Sequence, residues 1–233
     1  MAGEKKLKID ILESYKPVKI SEEELDKILF SLIKESRKKI IVLDDDPTGV
    51  QTVHDISVYT DWSEESIYSG FNEENRLFYI LTNSRGFTVE QTTKCHTEII
   101  ERVNKISQET GKEYMIISRG DSTLRGHYRL ETELLRKGFE ADGKKHIPAG
   151  QTEFAKDKTF GYASSNLCEY IEEKTQGKYK AQDVTIISLD ELRNVKIDEV
   201  TEKLLKVNNF RKIVVNAIDY CDLKVFAIAL YKA

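Results

Sequence analysis

The sequence predicts an α/β fold: a mostly parallel sheet with helices on both faces, giving a three-layer αβα arrangement. Two observations lead to this prediction. Short, fully apolar, β-branched runs such as residues 40–43 are typical of buried parallel strands. These runs alternate with longer amphipathic segments, and such alternation favours right-handed crossovers between parallel strands.

The elements follow in chain order after a charged lead-in at residues 1–17. Ser21 and Glu24 match a capping box, which predicts the start of a helix that basic residues 37–39 end. Strands are predicted at residues 40–43, 56–60, 77–81, 114–117, 184–189 and 212–216. Further helices are predicted at residues 88–108, 128–137, 166–174, 197–207 and 223–232. Residues 138–150 read as a loop because they contain three glycines and a proline.

Composition excludes several classes of protein. The 233 residues are 39% hydrophobic and 33% charged, as in soluble globular proteins, and the net charge of −4 offers no basic face for nucleic acid. No apolar run reaches the roughly 18 residues of a membrane span, and the N-terminus lacks a signal-peptide core. Cys95, Cys168 and Cys221 have neither disulfide-framework nor zinc-site spacing. A cytoplasmic location is therefore expected, and no metal ligand is assigned.

The densest polar segment, residues 118–127, directly follows a predicted strand. It contains Arg119, Asp121, Ser122 and Arg125. In open α/β sheets, ligands bind beyond the carboxyl ends of the strands. Guanidinium groups are planar forks suited to a carboxylate or a phosphate, so this loop is a candidate for anion binding.

Two earlier loops have the same position relative to a predicted strand. Asp44, Asp45 and Asp46 end the first strand, and three adjacent carboxylates repel one another unless a cation, a proton or hydrogen-bond donors are close. Residues 82–86, which include Arg85, follow the third strand. If the three loops converge, they form a cleft suited to a small anionic polyol, with arginines on its carboxylate and Asp and Asn on its hydroxyls.

A second interpretation starts from the spacing Asp44-x-Asp46-x-Thr48, which matches the signature of aspartyl-phosphate phosphohydrolases. There the first Asp attacks phosphorus and the second is the general acid, with Mg²⁺ bound. Asp121 begins the acidic pair that such enzymes use for Mg²⁺, but Arg125 occupies the position of the second acid. This cation argues against the phosphohydrolase without removing it as an alternative.

Other motifs are weak. Residues 138–145 nearly spell a phosphate-binding P-loop, but Lys145 replaces the required Ser or Thr and no strand precedes it. Ser122 and His127 lack the loop that would make them a nucleophile and base. No cofactor-binding residue is assigned.

Five motifs together resemble the four-carbon acid sugar kinase family, specifically its N-terminal, substrate-binding domain. They are Asp-Asp-Pro-Thr-Gly at 45–49, Asn-Ser-Arg at 83–85, Asp-Ser-Thr-Leu-Arg-Gly at 121–126, and the segments 152–157 and 160–165. The resemblance covers about residue 39 to the C-terminus. It implies a lead-in and helix at residues 1–38 and the family domain at 39–233.

The resemblance implies ATP-dependent phosphorylation of a tetronate such as threonate, erythronate or a 3-oxo-tetronate. ATP and Mg²⁺ are expected from a second, C-terminal domain that is absent from this sequence, so this chain alone is not expected to phosphorylate. The span from 138 to 148 is shorter than the family pattern. The chain stops inside an apolar helix, which predicts that more chain follows in the native protein.

The site residues follow from the strand-end positions together with the resemblance. Asp45 and Asp46 are the catalytic candidates, because one of them could orient or deprotonate the attacking hydroxyl. The substrate-binding candidates are Asp45, Asn83, Ser84, Arg85, Arg119, Asp121, Ser122 and Arg125. The expected partners are a small sugar acid and the missing domain, with no nucleic acid or membrane, and a homo-oligomer stays open. A non-catalytic ligand-binding module is the third alternative.

Overall fold

The computed structural model describes residues 16–120, 144–146, 162–164 and 166–233. Within these ranges the helices are α1 Glu22–Glu35, α2 Glu64–Asn72, α3 Val89–Thr110, α4 Leu167–Lys174, α5 Leu189–Arg193, α6 Ile197–Leu205 and α7 Tyr220–Lys232. The strands are β1 Lys39–Asp44, β2 Val58–Tyr59, β3 Leu77–Leu81, β4 Tyr114–Arg119, β5 Lys144–His146, β6 Thr185–Ile187 and β7 Lys212–Val215. Short 3₁₀ turns lie at Gly49–Thr52, Ser84–Gly86 and Ala181–Asp183.

The strands form two parallel sheets in two compact units. The four-strand unit, Arg37–Ala141 with Pro148–Gln182, has the strand order β2-β3-β1-β4. The three-strand unit, Met1–Ser36 with Asp142–Ile147 and Asp183–Ala233, has the order β5-β7-β6. Every described strand pair is parallel, which confirms the predicted α/β class with a mostly parallel, three-layer arrangement. The proposed domain boundary at residue 39 stays a prediction.

The core of the four-strand unit lies on one face of its sheet. Ile41 and Leu43 of β1 pack there with Phe78 and Ile80 of β3, against the inner side of α2 and α3. Because side chains alternate across a strand, Asp44 follows Leu43 on the opposite face. The hydrophobic pattern of β1 therefore determines on which side of the sheet the first of the three aspartates lies.

Helix α3 shows how local sequence sets element boundaries. Thr88 and Gln91 form a complete capping box at its start, each side chain accepting a hydrogen bond from the other's backbone N–H. Gly111 ends the helix with φ of 64°, a left-handed conformation that glycine adopts without a steric penalty. The helix predicted at 88–108 is thus confirmed, two residues longer at its end.

The three-strand unit has its own core, in which α1 takes part. Leu25 of α1 is fully buried and packs with residues of β6, β7, α6 and α7. Lys224 of α7 forms ion pairs with Glu22 and Asp26 at 2.8 and 2.5 Å, and so ties α7 to α1. Helix α1, which was predicted to follow the charged lead-in, is thus part of a hydrophobic core.

Three features differ from the sequence prediction. The predicted loop at 138–150 contains the short strand β5, which pairs with β7 through its backbone although Lys144–His146 carries no apolar residue. Helices α2 and α5 were not predicted. Residues 1–15 of the lead-in predicted at 1–17, and the helix predicted at 128–137, lie outside the described residues.

Candidate functional site

Three strands of the four-strand unit end at the same level. Strand β1 lies between β3 and β4, and the register pairs Asp44 with Leu81 on one side and with Arg119 on the other. The loops that follow β1 and β3, together with the end of β4, therefore emerge at one edge of the sheet. This is the carboxyl edge at which ligands bind in open α/β sheets.

Thr82 ties the loop after β3 to the end of β1. Its backbone N–H and its hydroxyl both donate to the carbonyl oxygen of Asp44, at 2.8 and 2.9 Å. The same hydroxyl lies 2.9 Å from Oγ of the buried Ser84. Between them Asn83 is exposed and adopts a left-handed conformation with φ of 53°. These bonds fix the turn that directs Arg85 back towards β1.

Arg85 bridges two of the three carboxylates. Its Nε and Nη2 donate to the Asp45 oxygens at 3.4 and 3.2 Å, and its Nη1 lies 2.7 Å from Oδ2 of Asp46. Asp45 is only 6% exposed, and the Arg85 N–H donates to its carbonyl oxygen at 3.3 Å. One guanidinium group thus holds Asp45 and Asp46 at a fixed separation, as the planar fork of arginine allows.

Asp46 also shapes the turn that follows it. Its Oδ1 accepts hydrogen bonds from the Thr48 backbone N–H, at 2.7 Å, and from the Thr48 hydroxyl. These two bonds, with a smaller contribution from Arg85 and Arg119, hold the pKa of Asp46 below its ordinary value. Asp46 is therefore an anion at neutral pH.

Asp44 has the opposite environment. Its side chain is fully buried, and Gly49 packs so closely against it that a Cβ at position 49 would overlap the carboxylate. Among the described residues, Oδ2 has no hydrogen-bond partner. Burial raises the pKa of Asp44, and the charges of Asp45 and Asp46 add to the rise, whereas Arg119 and the Asp46 N–H oppose it.

Of the two arginines that the structure describes at this edge, Arg119 is the more accessible. Its Nη1 lies 3.5 Å from Oδ1 of Asp44, longer than an ordinary charge-assisted hydrogen bond, and 43% of its side chain is exposed. The side chain of Arg85 is 23% exposed. The exposed guanidinium of Arg119 can accept an anion without first breaking a short ion pair.

The structure brings six predicted site residues to this edge: Asp45, Asp46, Asn83, Ser84, Arg85 and Arg119. Three others, Asp121, Ser122 and Arg125, lie outside the described residues. The roles assigned to all nine stay predictions. Two further residues that shape the edge, Thr82 and Gly49, lie in loops that the sequence indicated but were not assigned as site residues. Thr82 carries no distinctive motif, whereas Gly49 could have been identified, because a glycine soon after buried carboxylates often marks a close backbone approach.

The geometry does not favour the phosphohydrolase alternative. In that mechanism Asp44 attacks phosphorus, which requires an accessible carboxylate oxygen. Here the carboxylate of Asp44 is buried beneath Gly49, and burial raises its pKa.

Comparison with known proteins shows the family to which the chain belongs. The model of the sugar-binding N-terminal domain family matches residues 40–150 and 141–233, which together extend from β1 to the end of the chain. The search of curated proteins found no match. In the described part of the chain, no helix has both the length and the apolarity needed to cross a bilayer. The family match confirms the resemblance drawn from the five sequence motifs, and the chain belongs to the family of sugar-binding N-terminal domains.

Proposed function

We propose that this chain is the substrate-binding domain of an ATP-dependent kinase for four-carbon sugar acids such as threonate, erythronate or a 3-oxo-tetronate. The observation that supports this most directly is the exposed Arg119 beside three carboxylates at the carboxyl edge of a sheet, in a sugar-binding family. A sugar acid has one carboxylate and several hydroxyls. The carboxyl edge offers the cation of Arg119 to the substrate carboxylate, and its aspartates offer hydrogen-bond acceptors to the substrate hydroxyls.

Arg119 is the residue we assign to the substrate carboxylate. Its side chain is 43% exposed, against 23% for Arg85. Its 3.5 Å contact with Asp44 is also longer than the contacts of Arg85 with Asp45 and Asp46. A guanidinium group can donate two parallel hydrogen bonds to a carboxylate. Arg125 remains a further candidate from the sequence pattern.

Arg85 has a different role in this proposal. Its donors already engage Asp45 and Asp46, so it holds these carboxylates as acceptors for substrate hydroxyls. Asp46 is the more exposed of the two, with 20% of its side chain accessible, against 6% for Asp45. One of these carboxylates orients or deprotonates the hydroxyl that attacks phosphorus, a contribution worth typically about 10²- to 10⁴-fold in rate.

The phosphoryl donor is assigned to a second, C-terminal domain, as the sequence resemblance implies. The described residues offer neither a glycine-rich phosphate loop nor a carboxylate cluster fitted to Mg²⁺. In this proposal ATP and its metal bind to that second domain, as the resemblance implies. A cytoplasmic location and assembly with the nucleotide domain are parts of the same proposal.

Thermal unfolding with and without ligand tests the binding role. A ligand that binds only the folded state raises its stability. We expect millimolar threonate or erythronate to raise the melting temperature without nucleotide, and the neutral polyol erythritol to raise it less. No shift with any tetronate, together with Mg²⁺-dependent hydrolysis of a generic phosphate ester, would reverse the order of the two candidate functions.

A further inference from the structure

Among the described residues of the carboxyl edge, carboxylates outnumber guanidinium groups before any ligand arrives. In the described part of the edge, Asp44, Asp45 and Asp46 face two guanidinium groups, those of Arg85 and Arg119. A sugar acid adds a further carboxylate. Because like charges at close range cannot all remain ionised in a partly buried site, one of these carboxylates is expected to take up a proton.

Asp44 is the carboxylate least able to keep its charge. Asp45 has the two hydrogen bonds from Arg85, and Asp46 has Arg85 together with the two bonds from Thr48. Asp44 is fully buried, has a 3.5 Å contact with Arg119 and a hydrogen bond from the Asp46 N–H, and has an Oδ2 without a partner among the described residues. An unpaired oxygen in a dry position costs far less when it carries a proton.

The groups around Asp44 on the described elements also favour Asp44 as the carboxylate that takes up the proton. Strand β4 contributes Arg119, which among the described residues is the only cation in an ion pair with Asp44. The loop after β1 contributes the carboxylates of Asp45 and Asp46. Strand β3 contributes Tyr79, which shares the Asp44 face of the sheet and is 7% exposed. Burial, and then the charge of Asp44, raise the pKa of Tyr79, so its hydroxyl stays neutral. Gly49 contributes no charge.

We infer that binding of a sugar acid at Arg119 is coupled to uptake of a proton from solvent by the Asp44 carboxylate. The ligand carboxylate engages the guanidinium that Asp44 contacts, which weakens the attraction between Arg119 and Asp44 and adds a like charge nearby. The Asp44 carboxylate then becomes a carboxylic acid, whose O–H bond forms on a proton from solvent. This inference rests on the proposed function, because it requires an anionic ligand at Arg119.

Linkage gives the sign of the pH dependence. If the bound state holds the Asp44 proton more tightly than the free state, affinity is highest below the free-state pKa of Asp44. Affinity then falls as pH rises, by up to about tenfold per pH unit. The ligand's own carboxylate is ionised above about pH 5 and does not mask this trend.

Calorimetry of this chain with sodium threonate and sodium erythronate, in buffers of different ionisation enthalpy, measures the proton directly. We expect net proton uptake of up to one per bound ligand, and a dissociation constant that rises as pH increases through the free-state pKa of Asp44. Asp44→Asn cannot ionise, so it should show no uptake and no pH trend, and should bind at pH 8 at least as tightly as wild type. Asp61→Asn, an exposed carboxylate bonded to Ser63 and Ser66, should keep the wild-type uptake.

The outcomes separate the two claims. Binding without proton uptake, or an Asp44→Asn protein that keeps the wild-type pH trend, overturns the inference and leaves sugar-acid binding intact. Failure of both tetronates to bind contradicts the proposed function and the inference with it. If Asp44→Asn does not fold, the wild-type proton count alone decides.

Discussion

The guanidinium group of Arg85 donates to both carboxylate oxygens of Asp45, from Nε at 3.4 Å and from Nη2 at 3.2 Å. The two residues are separated by 40 positions in the sequence, and the bond connects the loop after β3 with the loop after β1. Since Asp45 is almost fully buried, this ion pair stabilises the candidate site and the end of the sheet together.

Arg85→Lys tests whether the planar guanidinium group of Arg85 is needed to bridge Asp45 and Asp46. Lysine keeps the charge but presents one ammonium group, so it cannot bond Asp45 twice and reach Asp46 as well. We expect a loss of about 1–2 kcal/mol in the free energy of unfolding, measured by urea denaturation. Arg37→Lys, at an exposed position of the same unit, is the control and should change stability by less than about 0.5 kcal/mol. Equal stability of the two variants would contradict the bridging role of Arg85.

Gly49→Ala tests the close approach to Asp44. The added Cβ would overlap the buried carboxylate of Asp44, so that side chain or the turn must shift, and overpacking of this kind costs about 1–3 kcal/mol. Gly86→Ala is the matched control, because a Cβ there meets nothing within 4 Å. Thermal unfolding should separate the variants clearly. A Gly49→Ala protein as stable as Gly86→Ala would mean that the carboxylate is not held beneath the turn.

The pKa directions of Asp44 and Asp46 predict opposite pH trends. Burial raises the folded-state pKa of Asp44 from an ordinary value of 3.8, so its contribution to stability is present below the unfolded pKa and is lost as pH rises through the folded value. Hydrogen bonds from Thr48 lower the pKa of Asp46, so its contribution is present above the unfolded pKa and is lost as pH falls through the folded value.

Urea denaturation from about pH 3 to pH 7 measures both trends. The unfolding free energy of wild type relative to Asp44→Asn should decrease as pH rises, and that relative to Asp46→Asn should increase. Trends of the same sign for both variants would show that the two carboxylates share one environment.

Asp222→Ala tests the polar network of the three-strand unit. Asp222 is fully buried, accepts from Nε and Nη2 of Arg193 at 3.1 and 3.2 Å, and accepts from the backbone N–H groups of Ile218 and Asp219. Removing one partner of a buried ion pair costs about 3–5 kcal/mol in unfolding free energy.

Asp198→Ala is the control for that variant, because its ion pair with Lys232 at 3.4 Å is exposed and worth about 0–1 kcal/mol. If the two variants unfold at the same urea concentration, Asp222 does not stabilise the loop before α7.

Much of the fold was predictable because apolar runs mark buried parallel strands. The strand at 77–81 was predicted to the residue, and the helix predicted from residue 88 begins at Val89. Strand β5 was not predictable in this way, since its pairing with β7 is made by backbone groups that the side chains of Lys144–His146 do not reveal.

The sequence also indicated which residues meet at the carboxyl edge, but not how they pair. Three successive aspartates look alike as letters, whereas the structure gives each a different partner, because the chain leaves the strand at Asp44 and turns. Asp44 contacts Arg119, Asp45 is held by Arg85, and Asp46 bonds Thr48. Only the loop geometry shows that Arg85 is occupied by carboxylates and Arg119 is more open.

The most direct test of the account is the dissociation constant of threonate for wild type, Arg119→Gln and the control Arg37→Gln, measured by titration calorimetry. A hydrogen bond to a charged group contributes about 1.5–3 kcal/mol, so Arg119→Gln should bind at least about tenfold more weakly, while Arg37→Gln should match wild type. Equal affinity in all three proteins would contradict the assignment of Arg119 to the sugar-acid carboxylate.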